Sequence, residues 1–202
     1  MAGNPLSLEA IRNQFFPIDL PMDITARIVD RDTVFEINAA TRIFSPDDLG
    51  LYRPPAERLA AVRRLSAQYV HSAAEAIAFS DPADKAVGWF WGYMADRETF
   101  LIDTFGLIPA YRGHGIYQAF IRVLLAYLGA VGYERVTVET HANNRAMLIA
   151  NLKAGFSIAG IELHESSGTL IKLLYPLHED RRRDFRKAFR LLPDDAPETK
   201  LR

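Results

Sequence analysis

The chain has 202 residues, 49% of them hydrophobic and 24% charged, with a mean hydropathy of -0.04, which excludes an extended disordered polymer and gives enough apolar side chain for a real core. Lys and Arg number 24 against 25 Asp and Glu, a formal net charge of -1, so no global field draws the chain to nucleic acid or to anionic lipid. The absence of cysteine excludes disulfides, thiolate zinc sites, iron–sulfur clusters and a cysteine nucleophile, and fits a reducing compartment.

Met1 to Phe16 lack the basic region, apolar core and small-residue cleavage site of a secretory leader. No later stretch approaches the roughly 18 apolar residues of a membrane span, so a cytoplasmic protein with no membrane partner is expected. Short apolar runs then alternate with turn clusters such as Phe16-Pro17 and Ser45-Pro46-Asp47-Asp48. Ile24 to Ile37 reads as two short strands about a turn at Asp30-Arg31-Asp32, with Ile28, Val34 and Ile37 available for a core. After Pro54-Pro55 the period changes, and Leu59, Val62, Leu65 and Tyr69 predict a helix.

Glu75 to Phe79, Ala86 to Met94 and Thr99 to Leu107 are rich in aromatic and aliphatic residues and separated by Asp-containing turns, the pattern of an antiparallel three-strand meander. A helix follows with Ile116, Phe120, Val123, Leu124 and Tyr127 along one side, stopped by Gly129 and Gly132. Arg135 to Thr140 is the next strand, and a helix from about Asn144 to Ala154 ends at Gly155, where a left-handed cap is wanted. Phe156 to Leu163 and Thr169 to Tyr175 form a last strand pair about Glu165-Ser166-Ser167-Gly168. The tail from Glu179 to Leu192 predicts an amphipathic helix with Phe185, Phe189 and Leu192 inward and a solvated basic face. These elements predict an α/β fold with a single mixed, mainly antiparallel central sheet flanked by helices. One domain is expected over 1–202, with an N-terminal substrate-side region at 1–73, a core at 74–177 and a basic C-terminal helix and tail at 178–202.

The segment Leu107-Ile108-Pro109-Ala110-Tyr111-Arg112-Gly113-His114-Gly115-Ile116-Tyr117 joins the end of a strand to the start of a helix. A helix start offers unpaired N–H groups and the positive end of the macrodipole, and glycines at 113 and 115 let an anion approach that backbone. No Lys-Ser/Thr follows, so it is not a P-loop; the third glycine of a dinucleotide fingerprint is missing. A pyrophosphate held without metal by backbone amides and Arg112 fits. At these residues the chain resembles the GNAT superfamily of N-acetyltransferases, whose signature R/Q-x-x-G-x-G/A opens such a helix. Arg112 and Gly115 match; Tyr117 stands where the family usually has Gly or Ala. Asn143-Asn144-Arg145-Ala146-Met147 through Asn151-Leu152-Lys153-Ala154-Gly155-Phe156 is similar to the family's later motif, and the resemblance extends from about Ala74 to Tyr175.

The resemblance implies acetyl-CoA as cosubstrate and a primary amine, in a small molecule or a peptide, as acceptor. It implies that the strands Thr99 to Leu107 and Arg135 to Thr140 splay apart, so that Phe105, Gly106 and Leu107 face the acetyl and pantetheine groups and the Leu107 N–H receives the oxyanion. Arg112, Gly113, His114, Gly115, Ile116 and Tyr117 form the cradle. Asn144 bonds the pantetheine arm, caps its helix, or does both. Asn151 occupies the position where the family commonly has Tyr as leaving-group acid, and an amide cannot donate a net proton; Tyr117, water or an unassisted thiolate departure remain. For the base, Asp103 lies in an apolar strand where burial would raise its pKa. Glu139 and His141 are rivals, and ordered water is a further route. The scattered histidines have no ligand spacing, so no metal site is expected. A longer acyl chain, depending on the room left by Trp89, Trp91 and Tyr93, and a non-catalytic coenzyme A-binding module are the alternatives. Oligomeric state stays open, a homodimer included.

Overall fold

The computed structural model describes residues 7–44, 73–165 and 167–188. Strands β1 (Ile18–Leu20), β2 (Ile24–Val29), β3 (Ala74–Ser80), β4 (Ala86–Met94) and β5 (Thr99–Leu107) run antiparallel to one another in that spatial order. Aspartates shape the turns of the meander: Asp81 accepts from the N–H groups of Ala83 and Lys85 at 3.0 and 2.9 Å, and Asp96 from the Glu98 N–H at 2.8 Å and the Thr99 hydroxyl at 2.9 Å. Beyond β5 the sheet continues through β6 (Arg135–His141), β8 (Gly168–Pro176) and, at the edge, β7 (Ser157–His164). Only β5 and β6 pair in parallel among the described strands. This is the mixed, mainly antiparallel sheet that the sequence predicts.

Helices cover both faces. On one side α3 (Ile116–Val131) buries Ile116, Phe120, Ile121, Leu124 and Tyr127 against Phe79, Phe90, Phe100 and Val136. A fully buried Phe ring removes enough apolar surface to contribute about 2 kcal/mol or more, so this layer carries most of the core. Gly132, at φ 108°, ends α3 in a left-handed cap. Helix α1 (Leu8–Phe15), capped by Ser7, packs on α3, and α4 (Arg145–Lys153) adds Met147 and Leu148 to the same side. Arg12 of α1 and Tyr127 of α3 meet at the buried carboxylate of Glu75, with contacts of 3.0 Å to each oxygen from Arg12 and 2.6 Å from the Tyr127 hydroxyl.

The segment after β2 differs from the expected second strand. Arg31–Thr41 is helix α2, because Asp30 is an N-cap rather than the centre of a hairpin turn: its Oδ1 accepts from the Thr33 N–H at 2.7 Å and hydroxyl at 2.9 Å. Val34 and Ile37, which read as strand residues, fall one helical turn apart and pack together on Ala76, Ala78 and Trp89 across the opposite face of the sheet. The turn at Ser45–Asp48 and the helix expected around Leu59–Tyr69 lie outside the described residues, as do Phe189 and Leu192. Helix α5 (Glu179–Ala188) is present with Phe185 half-buried. Residues 7–44, expected as a substrate-side region, contribute two strands to the same sheet and two helices packed on its two faces. Among the described residues no helix is long and apolar enough to cross a membrane.

Candidate active site

The site begins with a break in the sheet. Strands β5 and β6 pair only over Thr99–Ile102 and Arg135–Val138. At that point β5 carries an extra residue: Ile102 opposes Gly92 on β4 and Thr104 opposes Trp91, leaving Asp103 on a bulge. A bulge bends its strand, and β5 departs from β6. The Ile108 N–H donates to Val87 O on β4 at 2.9 Å, which sets the phase of the strand end. Alternation then turns the N–H and C=O groups of Leu107 and Phe105 away from β4 and into the gap. The Leu107 carbonyl accepts from Arg112 Nε at 2.7 Å, and its N–H is directed to the open side.

Against this gap lies a cleft of about 590 Å³. Phe105, Gly106 and Leu107 form one wall, Asn144, Met147, Ala150 and Lys153 of the α4 segment another, and Arg112, Gly113, Gly115, Ile116 and Tyr117 the rim. Gly113 and Gly115 have φ of 80° and 78°, and a Cβ at either would meet nothing within 4 Å. Glycine is therefore required there for the backbone conformation and not for space. The first bond of α3 runs from the Ala119 N–H to Gly115 O at 3.0 Å, which leaves the N–H groups of Ile116, Tyr117 and Gln118 without partners in the helix. No acidic side chain stands in that first turn. An exposed arginine, two left-handed glycines and three aligned N–H groups are a fitting seat for a pyrophosphate. His114 is exposed and does not line the cleft.

Asn144 both lines the cleft and caps α4, its Oδ1 accepting from the Met147 N–H at 3.3 Å. Asn151 is fully buried. The Tyr117 hydroxyl donates to Asn151 Oδ1, while Asn151 Nδ2 is buried with no acceptor. Burial pushes the Tyr117 phenol far above its ordinary pKa. Its ring stands edge-on to Phe105 at 4.8 Å, so Tyr117 fills the space that a glycine or alanine would leave open behind the cradle.

The carboxylates expected as bases lie across the sheet from α3, since they alternate with the core residues Ile102 and Val138. Asp103 is exposed on its bulge and not buried as expected; its Oδ2 accepts from the Thr104 hydroxyl at 2.9 Å. Glu139 holds Lys172 Nζ at 3.2 Å, and Lys172 also contacts Glu162. Hydrogen bonds donated by Lys172 to Glu162 and then to Glu139 raise the Lys172 pKa. The Tyr93 phenol is raised by burial first, then by the charges of Asp103 and Glu139, which face it together. His141 is half-exposed at the end of β6. No group of three or more metal-ligating side chains occurs among the described residues.

Sequence reasoning missed the end wall. Ile43 and Phe44 line the cleft beside Gly106, whose Cβ would overlap both side chains. Asn38 fixes that turn, accepting from the Phe44 N–H at 3.2 Å and donating to its carbonyl at 3.4 Å. The available signal was a glycine inside a strand, which marks a close approach. Trp89 stands behind Phe44, ring centroids 5.4 Å apart, and is itself buried, so it reaches the cleft only through Phe44.

The acetyltransferase (GNAT) family model matches residues 37–156. The uncharacterized N-acetyltransferase YdgE of Bacillus subtilis (strain 168) is 28% identical over 83 residues, which make up 39% of this chain and 52% of that protein, so the chain spans about half the length of this curated relative. The spermidine N-acetyltransferase of Vibrio cholerae, solved in complex with CoA and spermine, superposes with a TM-score of 0.55 at 13% identity, covering 76% of this chain and 95% of that one. A ribosomal-protein alanine N-acetyltransferase from Escherichia coli gives 0.54 at 15% identity over 76% and 94% of the two chains. At such identities the likeness is one of fold, and the fold is the one that the sequence motifs imply.

Proposed function

Because the chain belongs to the acetyltransferase (GNAT) family, we propose that it transfers the acetyl group of acetyl-CoA to a primary amine by direct attack. The observation that carries this reading is the bulge-opened gap between β5 and β6, which aims the Leu107 N–H at a cleft whose rim is an anion cradle.

Acetyl-CoA supplies an activated acyl group on a thiolate leaving group. Gly113 to Gln118 and Arg112 hold its pyrophosphate, and the backbone of Phe105 and Leu107, with Asn144, aligns the pantetheine arm along β5. Leu107 N–H then stabilises negative charge on the carbonyl oxygen as the amine attacks; a preorganised donor of this kind contributes about 3 kcal/mol. Asp103 or Glu139 takes the proton of the amine through ordered water, a route open to carboxylates on the far side of the sheet from α3. Tyr117 stays protonated and spends its hydrogen on Asn151. The pair therefore supplies hydrogen bonding and no net proton, and the thiolate leaves to be protonated by water. Ile43 and Phe44 close the acyl end over Gly106, which favours a two-carbon acyl group over a longer one. The structural neighbours are named for a polyamine and for a protein amine, and the acceptor here belongs to the same range, a small-molecule or peptide amine. The cytoplasm is the matching compartment for a chain without cysteine.

Calorimetric titration with acetyl-CoA, beside ATP and NAD, tests the cleft, and amine-dependent thiol release tests the transfer. Saturable binding of acetyl-CoA alone is expected. Arg112→Ala and Gly115→Val are each expected to weaken it at least about tenfold, the arginine by losing charge-assisted bonds and the valine by strain at φ 78°. Unchanged affinity in both folded variants removes the pyrophosphate from this loop.

A further inference from the structure

On the outer side of α3 lies a second concavity, about 330 Å³, near the lower bound of about 300 Å³ for ligand pockets. It adjoins the cleft, since Gln118 and Lys153 line both. Three cationic side chains converge on it from three elements: Arg122 of α3, Lys153 of α4 and Arg182 of α5. No carboxylate is among the described lining residues; the nearest contact of that kind is Glu179, which pairs with Arg182 at 3.0 Å. Three cations against this one paired carboxylate leave a local excess of positive charge in a chain of net charge -1.

Arg182 is the informative member. Its Nη1 donates to the Tyr175 hydroxyl at 2.6 Å and its guanidinium carbon lies 5.3 Å from the Tyr175 ring centroid, so the side chain is fixed rather than solvated at random. Its Nε is buried and has no acceptor. Leu125, Leu177 and Ala154 line the same concavity, and their apolar surface strengthens charge–charge attraction there. Tyr175, Leu177 and Arg182 lie beyond residue 156, where the match to the family model ends.

We propose that this concavity binds a phosphate monoester dianion, with Arg182, Arg122 and Lys153 as its counter-charges. Two sources have that chemistry: the ribose 3′-phosphate of the same coenzyme A that occupies the cleft, which rests on the function proposed above, and a free phosphomonoester, which does not.

The full chain is titrated calorimetrically with coenzyme A, dephospho-coenzyme A and adenosine 3′-monophosphate, and the titrations are repeated with Arg182→Gln and Arg122→Gln. For the coenzyme source, coenzyme A binds about tenfold or more tighter than its dephospho form, and the ratio falls toward one in each variant. For the free source, the two coenzymes bind alike while adenosine 3′-monophosphate binds saturably and loses about tenfold in the variants. A coenzyme ratio near one together with no variant-sensitive binding of the monophosphate overturns the proposal, and so does a ratio or monophosphate affinity that neither variant moves. If Arg182→Gln loses its fold, as judged by circular dichroism, Arg122→Gln decides alone. Failure of both coenzymes to bind at all strikes the proposed function instead, and the monophosphate arm still reads this site.

Discussion

Helix α3 sends two tyrosines into the interior, Tyr127 to Glu75 and Tyr117 to Asn151, and the two pairs are satisfied to different degrees. Glu75 is a buried carboxylate whose oxygens receive both the Arg12 guanidinium and the Tyr127 hydroxyl, 2.6 to 3.0 Å away. Asn151 is a buried neutral amide that receives one hydroxyl and keeps its Nδ2 unpaired. Stripping one partner from a buried charge costs about 3–5 kcal/mol, and in this cluster the carboxylate oxygens are paired while Arg12 Nε has no acceptor. A neutral amide can be left half-satisfied at a cost of about 1–3 kcal/mol, and here that cost falls in the interior behind Tyr117. The first cluster ties α1 to the sheet, and the second ties α4 to α3 behind the cleft, where Tyr117 but not Asn151 lines the wall.

The comparison breaks most visibly at Arg12. Arg12→Ala leaves Glu75 with one partner and is expected to lower unfolding free energy by about 3 kcal/mol or more, read from urea titration; a loss below about 1 kcal/mol would mean that the carboxylate is solvated in solution. Next come Tyr117→Phe and Asn151→Leu. Each alone strands one polar partner and is expected to cost about 1–2 kcal/mol, while the double variant costs less than the sum because both groups leave together. Strict additivity in that cycle dissolves the pair. Thiol-release rates are expected to fall in the same variants and to stay near wild type in Tyr127→Phe, which touches only the structural cluster. The smallest effect separates the two phenols by pH. Both are raised above 10.0, Tyr117 by burial and Tyr127 by burial, then by its hydrogen bond to Glu75 and by the Glu75 charge. A raised pKa means that folding favours the protonated form, so the stabilisation is complete below pH 10 and lost as pH climbs beyond it. Removing either phenol is expected to flatten the loss between pH 10 and 11 by on the order of 1 kcal/mol. An unaltered slope in both variants refutes the burial of their hydroxyls.

Where local pattern decides structure, the sequence was readable. The meander, α3 and its Gly132 cap, and α4 with its Asn144 cap all follow from periodicity and from punctuation by Gly, Asn and Asp. The glycine loop of 113–115 was legible because few roles call for two left-handed residues ahead of a helix. Asp30 shows the limit of that kind of reading: the same side chain starts a turn or caps a helix, and only the fit of Val34 and Ile37 to the sheet chooses between them. Asp103 shows another, because a one-residue bulge shifts every later residue on the strand and leaves no mark in the alternation before it. Pairings over distance were not legible at all. Nothing near Arg12 announces Glu75, and nothing near Asn38 announces that its amide fixes Phe44 over Gly106.

The four-rung seam between β5 and β6 also bears on how the chain folds. The hairpins β3–β4 and β4–β5 close through short turns, whereas β6 meets β5 only after the whole of α3 has been laid across the sheet. Non-local parallel pairing of this kind comes late and holds weakly. Away from the short β1–β2 edge, the seam has the fewest paired residues in the sheet, so the cleft assembles after the meander and is lost where the sheet's interior parts most cheaply.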